Sequence, residues 1–423
     1  MFPVASVSPG DSFSLNPGNP QPMAFAPTPV SHPSSLPHPT LPLKIHGHLR
    51  RGADWLGRFQ GRSARFACVF GFTDTGLLPG ISAAGATPDD RRYTALADAE
   101  FLHQGMTSPG RPCYPLPPLQ AGLSPTLITR ALWERHRWPC YLFNAGLPLP
   151  PSVPLIDLQG QPARCLSQGH ALDKPLVQHL WHQGQRWGEI LADGLGDGYV
   201  MLGECVVGGT TTALGILTGL GIAAAGRVNS SHATCNHDQK AAIVAQGLGR
   251  SGLCWGAAAP PVDPLDLVAA VGDPMQIVVA AMALVISRRG GVLLAGGTQM
   301  LAVYGLAVAL ADTYGQDWTP DNVVVGTTRW VVEDPTGDTL GLAQALGQRW
   351  GEGLMPSVVT TQLSFAESRC GGLRWYEQGF VKEGVGAGAS AIAASLGSQW
   401  QQSQLLAEIE GFVDRYGHWR QGF

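Results

Sequence analysis

The sequence predicts an α/β fold: a doubly wound, mostly parallel Rossmann-like sheet with a smaller helical subdomain built from the terminal segments. Three observations carry that expectation. Short apolar runs bounded by glycine recur over residues 66–72, 140–145, 199–205, 291–295 and 322–325. Strands that are apolar on both faces belong in a parallel sheet covered on both sides. Helical segments with clear start signals lie between these runs, and strand–helix alternation marks the doubly wound class. Finally, the 423 residues are 44% hydrophobic and only 14% charged, enough to bury the core such a sheet needs.

Residues 1 to about 45 hold eleven of the 33 prolines and almost no charge. Such a segment cannot bury enough apolar surface to offset its ordering entropy, so a dispensable, disordered extension is expected over residues 1–60. Residues 61–423 then form the folded domain, with a phosphate-binding core at about 195–345. Ser124-Pro125 opens a helix over 126–137, with serine as N-cap and proline at the first helical position. Asp273-Pro274 repeats that device before a helix over 275–287. The second helix ends in Arg288-Arg289-Gly290-Gly291, cationic at its carboxyl end and then glycine at the cap.

The formal net charge of −4 argues against a general nucleic-acid or anionic-membrane partner, since both need a basic face. The most apolar stretch, 277–310, is broken by Arg288-Arg289 and by Gly296-Gly297-Thr298-Gln299. Each piece is shorter than the ~20 residues a membrane span needs. The eight cysteines form no CxxC pair, which fits a reducing cytoplasm. The first residues lack the basic and apolar regions of a signal peptide. Lysines are scarce (Lys44, Lys174, Lys240 and Lys382), so a lysine beside a motif is informative.

The segment Gly203-Glu204-Cys205-Val206-Val207-Gly208-Gly209-Thr210-Thr211-Thr212-Ala213 follows an apolar run and precedes a helical stretch over 213–222. A glycine-rich turn between strand and helix lets backbone N–H groups approach an anion, and the helix N-terminus adds partial positive charge. No lysine follows the glycine pair as in a Walker A loop, so one monophosphate ester suits the site better than a triphosphate. An ordinary strand–helix turn with threonine caps remains the plainer alternative. A second polar cluster, with Ser230, Ser231 and Lys240, stands ready to close over the same phosphate. His232, Cys235 and His237 lie nearby, but their spacing matches no standard zinc pattern, so no metal is expected.

Glu383 sits within Gly379-Phe380-Val381-Lys382-Glu383-Gly384-Val385-Gly386-Ala387-Gly388-Ala389. Glycines let a substrate ring approach the backbone, and partial burial would raise a carboxyl group toward a useful general base. An exposed glutamate at a helix cap is an equal alternative on the residues alone.

Together these segments resemble the nicotinate-nucleotide:dimethylbenzimidazole phosphoribosyltransferase family, in a divergent branch. The loop from Gly203 to Ala213 resembles the family's phosphate loop. Residues 271–311 resemble its helix–strand–helix core, and Lys382-Glu383-Gly384 with Gly386-Ala387 matches the place of its catalytic glutamate. The divergent branch is also suggested by Pro79-Gly80-Ile81-Ser82-Ala83-Ala84-Gly85-Ala86-Thr87-Pro88, Ala295-Gly296-Gly297-Thr298-Gln299-Met300 and Gly326-Thr327-Thr328-Arg329-Trp330. The chain departs from the main family at Leu294-Ala295-Gly296 and in the N-terminal base-binding region.

The resemblance implies transfer of the ribose 5′-phosphate of nicotinate mononucleotide to a cobamide lower-ligand base such as dimethylbenzimidazole, with nicotinate released. It implies Glu383 as general base, with Glu204 stabilising the oxocarbenium-like centre or assisting the proton transfer. Gly208, Gly209, Thr210 and Thr211 would hold the phosphate, helped by Ser230, Ser231 and Lys240. It implies small-molecule partners only, no cofactor and a homodimer. Two alternatives stay open: a related transferase with another acceptor such as adenine, and a non-catalytic nucleotide-binding protein.

Overall fold

The computed structural model describes residues 41–107, 111–117, 121–256 and 260–422. Among these residues eight strands form one sheet: β1 (Leu43–Gly47), β2 (Ala64–Gly71), β3 (Cys140–Gly146), β4 (Ile156–Asp157), β5 (Tyr199–Cys205), β6 (Gly291–Ala295), β7 (Val323–Thr328) and β8 (Ser357–Thr361). Their spatial order is β1-β8-β7-β6-β5-β2-β3-β4, and every pairing is parallel except β1 with β8. From β2 the chain winds outward through β3 and β4, then returns to β2's other side at β5 and winds away through β6, β7 and β8. The doubly wound expectation therefore holds, and the reversal between β2 and β5 opens a crevice at their carboxyl ends.

Alternation along the strands shows why both faces are apolar. Ala67, Val69, Val200, Leu202, Val292 and Leu294 point into one core, and Phe66, Cys68, Phe70, Tyr199, Met201 and Leu293 into the other. The first core is roofed by helices Lys174–Ala192, Gly209–Gly219, Pro264–Val271, Pro274–Ser287 and Thr298–Tyr314. The opposite face carries Leu49–Phe59, Arg91–Gln104, Thr126–His136 and Ala387–Ser398. The last helix, Gln402–Gln421, buries Leu405, Ile409 and Phe412 against Phe101, Leu127 and Ile128.

Three sequence expectations change. Residues 1–40 lie outside the described residues, but the extension expected to run to residue 60 does not. Leu43–Gly47 pairs with β8, and Leu49–Phe59 buries Trp55 and Phe59, with Trp55 Nε1 donating to Asn322 O at 2.9 Å. The N-terminal segment thus joins the sheet rather than a helical subdomain, because two buried aromatic rings outweigh the flanking prolines. The phosphate-loop helix begins at Gly209, not at Ala213, so the Gly-Thr-Thr run is its first turn. Ser124, read as an N-cap, accepts from Thr126 N at 3.3 Å but turns its own hydroxyl proton toward Asp98. At Asp273 the expected cap is present as a full capping box: its carboxylate receives the Met275 and Gln276 amides, and Gln276 Oε1 receives Asp273 N at 3.0 Å.

Candidate functional site

The crevice at the carboxyl ends of β2 and β5 holds a cavity of about 190 Å³. Each wall comes from a different segment. Ser82, Ala83 and Ala84 follow β2, the run from Glu204 to Thr210 follows β5, Gln299 follows β6, and Glu383 with Gly384 and Val385 precedes Ala387–Ser398. Neither lysine nor arginine lines it among the described residues.

Gly208 caps the Gly209–Gly219 helix with φ 88°, and a Cβ there would stand 2.7 Å from Gly76 N. Only glycine satisfies both demands. In the first turn Gly209 N bonds to Val206 O and Thr211 N to Gly208 O, while the Thr210 amide takes no protein acceptor among the described residues. An amide without a partner at a helix N-terminus, beside the Thr210 hydroxyl, suits an anionic oxygen. Ser231 lines the cavity from the other side, where its Oγ accepts from Ala83 N at 2.9 Å and bonds with Ser82 Oγ at 3.1 Å.

Thr211, Ser230 and Lys240, grouped with the phosphate site on sequence, are buried behind the lining. Thr211 is fully buried, and its Oγ1 has no hydrogen-bond partner among the described residues. Lys240 Nζ donates to Val228 O at 2.7 Å and to Asn229 O at 2.8 Å. Desolvation lowers its pKa to about 8. Lys382 supports the next stretch of the loop, with Nζ 2.8 Å from His232 O and 2.7 Å from Asp334 Oδ2. The two ammonium groups thus brace the segment 228–232 from beneath; they do not face the cavity. His232 Nε2 meets Gly80 O at 3.0 Å, His237 Nε2 meets Thr336 O, and Cys235 Sγ approaches Asp334. Among the described residues no group of three His, Cys, Asp or Glu side chains is placed to hold a metal ion.

Glu383 is held from four directions. Its Oε2 accepts from Thr327 Oγ1 at 3.0 Å and Thr328 N at 2.9 Å, and its Oε1 from Gly384 N and Gly388 N, both at 3.1 Å. The chain around it is strained: Val381, Lys382 and Val385 have φ of 67°, 49° and 50°, a region β-branched residues avoid. Thr328 Oγ1 bonds to Lys382 O at 2.6 Å and Thr129 Oγ1 to Val385 O at 2.9 Å, which holds the turn in place. Burial raises the Glu383 pKa, opposed by those four hydrogen bonds.

Glu204 differs. Its Oε2 accepts from Gln299 Nε2 at 2.9 Å and Val206 N at 3.2 Å, while Oε1 has no donor among the described residues. Desolvation, with the Asp273 and Glu383 charges nearby, pushes its pKa up to about 8. Asp273 itself is pushed to about 6 by burial, although Thr212 Oγ1 donates to it at 2.6 Å.

Sequence reasoning missed Asp98, which lines the same cavity and is only 6% exposed. The available signal was a carboxylate inside the apolar run Leu96-Ala97-Asp98-Ala99. It also missed Gln299 and the Thr327–Thr328 pair as partners of the two glutamates. Each lies in a motif recognised above only for its likeness to the divergent branch.

No protein-family model matches the chain. It is 57% identical over 381 residues to a UPF0284 protein of Nostoc sp. (strain PCC 7120), covering 88% of this chain and 99% of the relative. A UPF0284 protein of Trichodesmium erythraeum is 58% identical over 368 residues, 87% of this chain and 97% of the relative. One of Cyanothece sp. (strain PCC 7425) is 62% identical over 362 residues, 86% and 94% respectively. Among solved structures, CobT from Thermus thermophilus superposes with a TM-score of 0.54 at 18% identity, over 85% of this chain and 88% of that one. That likeness shows a shared fold.

Proposed function

The chain belongs to the UPF0284 family, and we propose that it is a phosphoribosyltransferase acting on nicotinate mononucleotide and a cobamide lower-ligand base. The observation that carries this reading is one cavity joining two unlike halves. A helix N-terminus with a free amide and hydroxyls stands at one side, and three carboxylates, the buried Asp98 and Glu204 and the half-buried Glu383, stand at the other with no lysine or arginine among the described lining residues. A mononucleotide phosphate fits the first half. The second suits a reacting centre that becomes positive and a neutral aromatic base, and it repels the carboxylate of departing nicotinate. The motif resemblance and the fold shared with CobT support the same reading.

In this reaction the C1′–N bond of nicotinate mononucleotide breaks, and its electron pair neutralises the pyridinium nitrogen. The imidazole-type nitrogen of the base forms the new bond to C1′, and the proton on the ring's other nitrogen must go to a carboxylate. The motif resemblance places that acceptor at Glu383. Hydrogen bonding favours Glu204, because all four acceptor directions of Glu383 are already taken. Glu204 retains a free oxygen and a pKa near 8, close to the working range of a general base. Glu383 then acts as a fixed negative charge beside the developing oxocarbenium centre, preorganised by the strained turn. Holding two bound partners in line supplies much of the remaining acceleration.

Incubating the purified chain with nicotinate mononucleotide and benzimidazole tests the reading, with the products separated and weighed by mass spectrometry. The base ribotide should appear in step with nicotinate. Nicotinate release that is independent of base would mean a hydrolase, and no release would mean a binding protein.

A further inference from the structure

Asp98 and Thr94 stand one turn apart on the helix Arg91–Gln104, and both line the cavity. Asp98 Oδ1 accepts from Thr126 Oγ1 at 2.7 Å and Ser124 Oγ at 3.2 Å. Among the described residues its Oδ2 accepts only from the Cys205 thiol at 3.3 Å, a weak donor, so acceptor capacity is left over. Thr94 is 7% exposed, and its Oγ1 is buried without a hydrogen-bond partner among the described residues. Buried polar groups nearly always find partners, and an orphan hydroxyl in a cavity wall marks a place for a ligand atom. Cys205, which touches Asp98, points to the opposite face of β5 from Glu204 by strand alternation, so Asp98 and Glu204 reach the same cavity from different faces of the sheet.

We propose that Asp98 and Thr94 read the six-membered ring of the acceptor base, and that they select a base presenting a hydrogen-bond donor beside an acceptor on that edge. An exocyclic amine would donate to Asp98 Oδ2, and the adjacent ring nitrogen would accept from Thr94 Oγ1. An aminopurine has that edge. A benzimidazole with methyl groups there would bury the carboxylate oxygen and the hydroxyl against carbon, and sites built to hydrogen-bond reject ligands lacking the group. This inference rests on the transferase reading and deepens it by naming the class of acceptor.

The test sets adenine against 5,6-dimethylbenzimidazole as competing acceptors, with saturating nicotinate mononucleotide and the full chain. Wild type should prefer adenine by about 10-fold or more in kcat/KM, the scale of one unmatched buried polar group. Thr94→Val removes only an unpartnered hydroxyl, so it should leave the Tm unchanged while shrinking the preference. Asp98→Asn keeps an oxygen for Ser124 and Thr126 and should shrink it further. Preference for dimethylbenzimidazole in wild type, or an unchanged ratio in both variants, would overturn the inference while leaving the transferase reading intact. If no base is ribosylated, the transferase reading fails alone, and adenine binding by calorimetry decides the rest. Weaker binding to Thr94→Val than to wild type supports the recognition edge, and equal or undetectable binding overturns it.

Discussion

Lys382 Nζ lies 2.7 Å from Asp334 Oδ2, with both side chains withdrawn from solvent, and Lys382 immediately precedes Glu383. The same ammonium group donates to His232 O, so one buried pair ties the glutamate's turn to the loop carrying Ser231. Hydrogen bonds from Lys382, Asn229 and Thr336 hold the Asp334 pKa down at about 2, against the desolvation that would raise it. Removing one partner leaves an uncompensated buried charge. Lys382→Met or Asp334→Ala should therefore lose about 3–5 kcal/mol in urea unfolding. A loss below about 1 kcal/mol, the scale of a surface pair, would mean that the turn is held by its backbone alone.

The two glycines of the phosphate loop should respond differently. Gly208→Ala puts a Cβ against the Gly76 backbone at φ 88°, and should destabilise the fold by about 1–3 kcal/mol. At Gly209 the new Cβ crowds the end of the Gln299 side chain, which can swing away, and makes ordinary contact with Val206 Cβ at 3.4 Å. Gly209→Ala should keep the Tm, yet Glu204 loses its Gln299 donor and its pKa rises further. The pH–rate profile would then move to higher pH, and an unmoved profile would show that Gln299 does not tune Glu204.

The two glutamates differ in what an amide does to them. Gln at 383 must turn its NH₂ toward backbone N–H groups that now donate to the carboxylate, leaving buried donors unmatched. Glu383→Gln should lose about 1–3 kcal/mol of stability. At 204 the amide oxygen can serve Val206 N and Gln299 Nε2 while the NH₂ takes the place of the donor-free Oε1. Glu204→Gln should fold normally. Matched thermal melts check both expectations, and a stable Glu383→Gln protein would contradict the four-donor geometry.

The raised carboxyl pKa values also set a pH dependence. Glu204, pushed from 4.5 to about 8, binds its proton more tightly in the folded state than in the unfolded chain. The folded state therefore holds more protons between those values, and the stability linked to Glu204 falls as pH rises from about 4.5 to 8. Asp98, Glu383 and Asp273 shift in the same direction. Melts of wild type and Glu204→Gln should diverge as pH rises, with the variant the more stable at pH 8. Parallel curves would mean that Glu204 is ionised at neutral pH.

The class of fold was legible because strands buried on both faces are written as uninterrupted apolar runs, as in 199–205 and 291–295. β8 escaped notice because Ser357, Thr360 and Thr361 make it read as polar, although all five of its residues are buried. β1 was lost in a proline-rich context, and β4 is only two residues long. At the site, Glu204 and Glu383 were legible from their glycine neighbours. Lys240 misled because a scarce lysine near a polar cluster suggests a phosphate contact, whereas its ammonium group serves two backbone carbonyls. Asp98 and Thr94 sit one turn apart on a helix whose interior gives no motif, and only the sheet's reversal brings them to the phosphate loop.

The most direct test of the central claim is base-dependent nicotinate release from nicotinate mononucleotide, measured across pH for wild type and Glu204→Gln. Wild type should release nicotinate only with a base present, and kcat/KM should rise with pH through about 8, as Glu204 loses its proton. Glu204→Gln should bind the mononucleotide but turn over about 10²–10⁴-fold more slowly, with that limb gone. Release without a base, or a variant that matches wild type in rate and pH profile, would contradict the account.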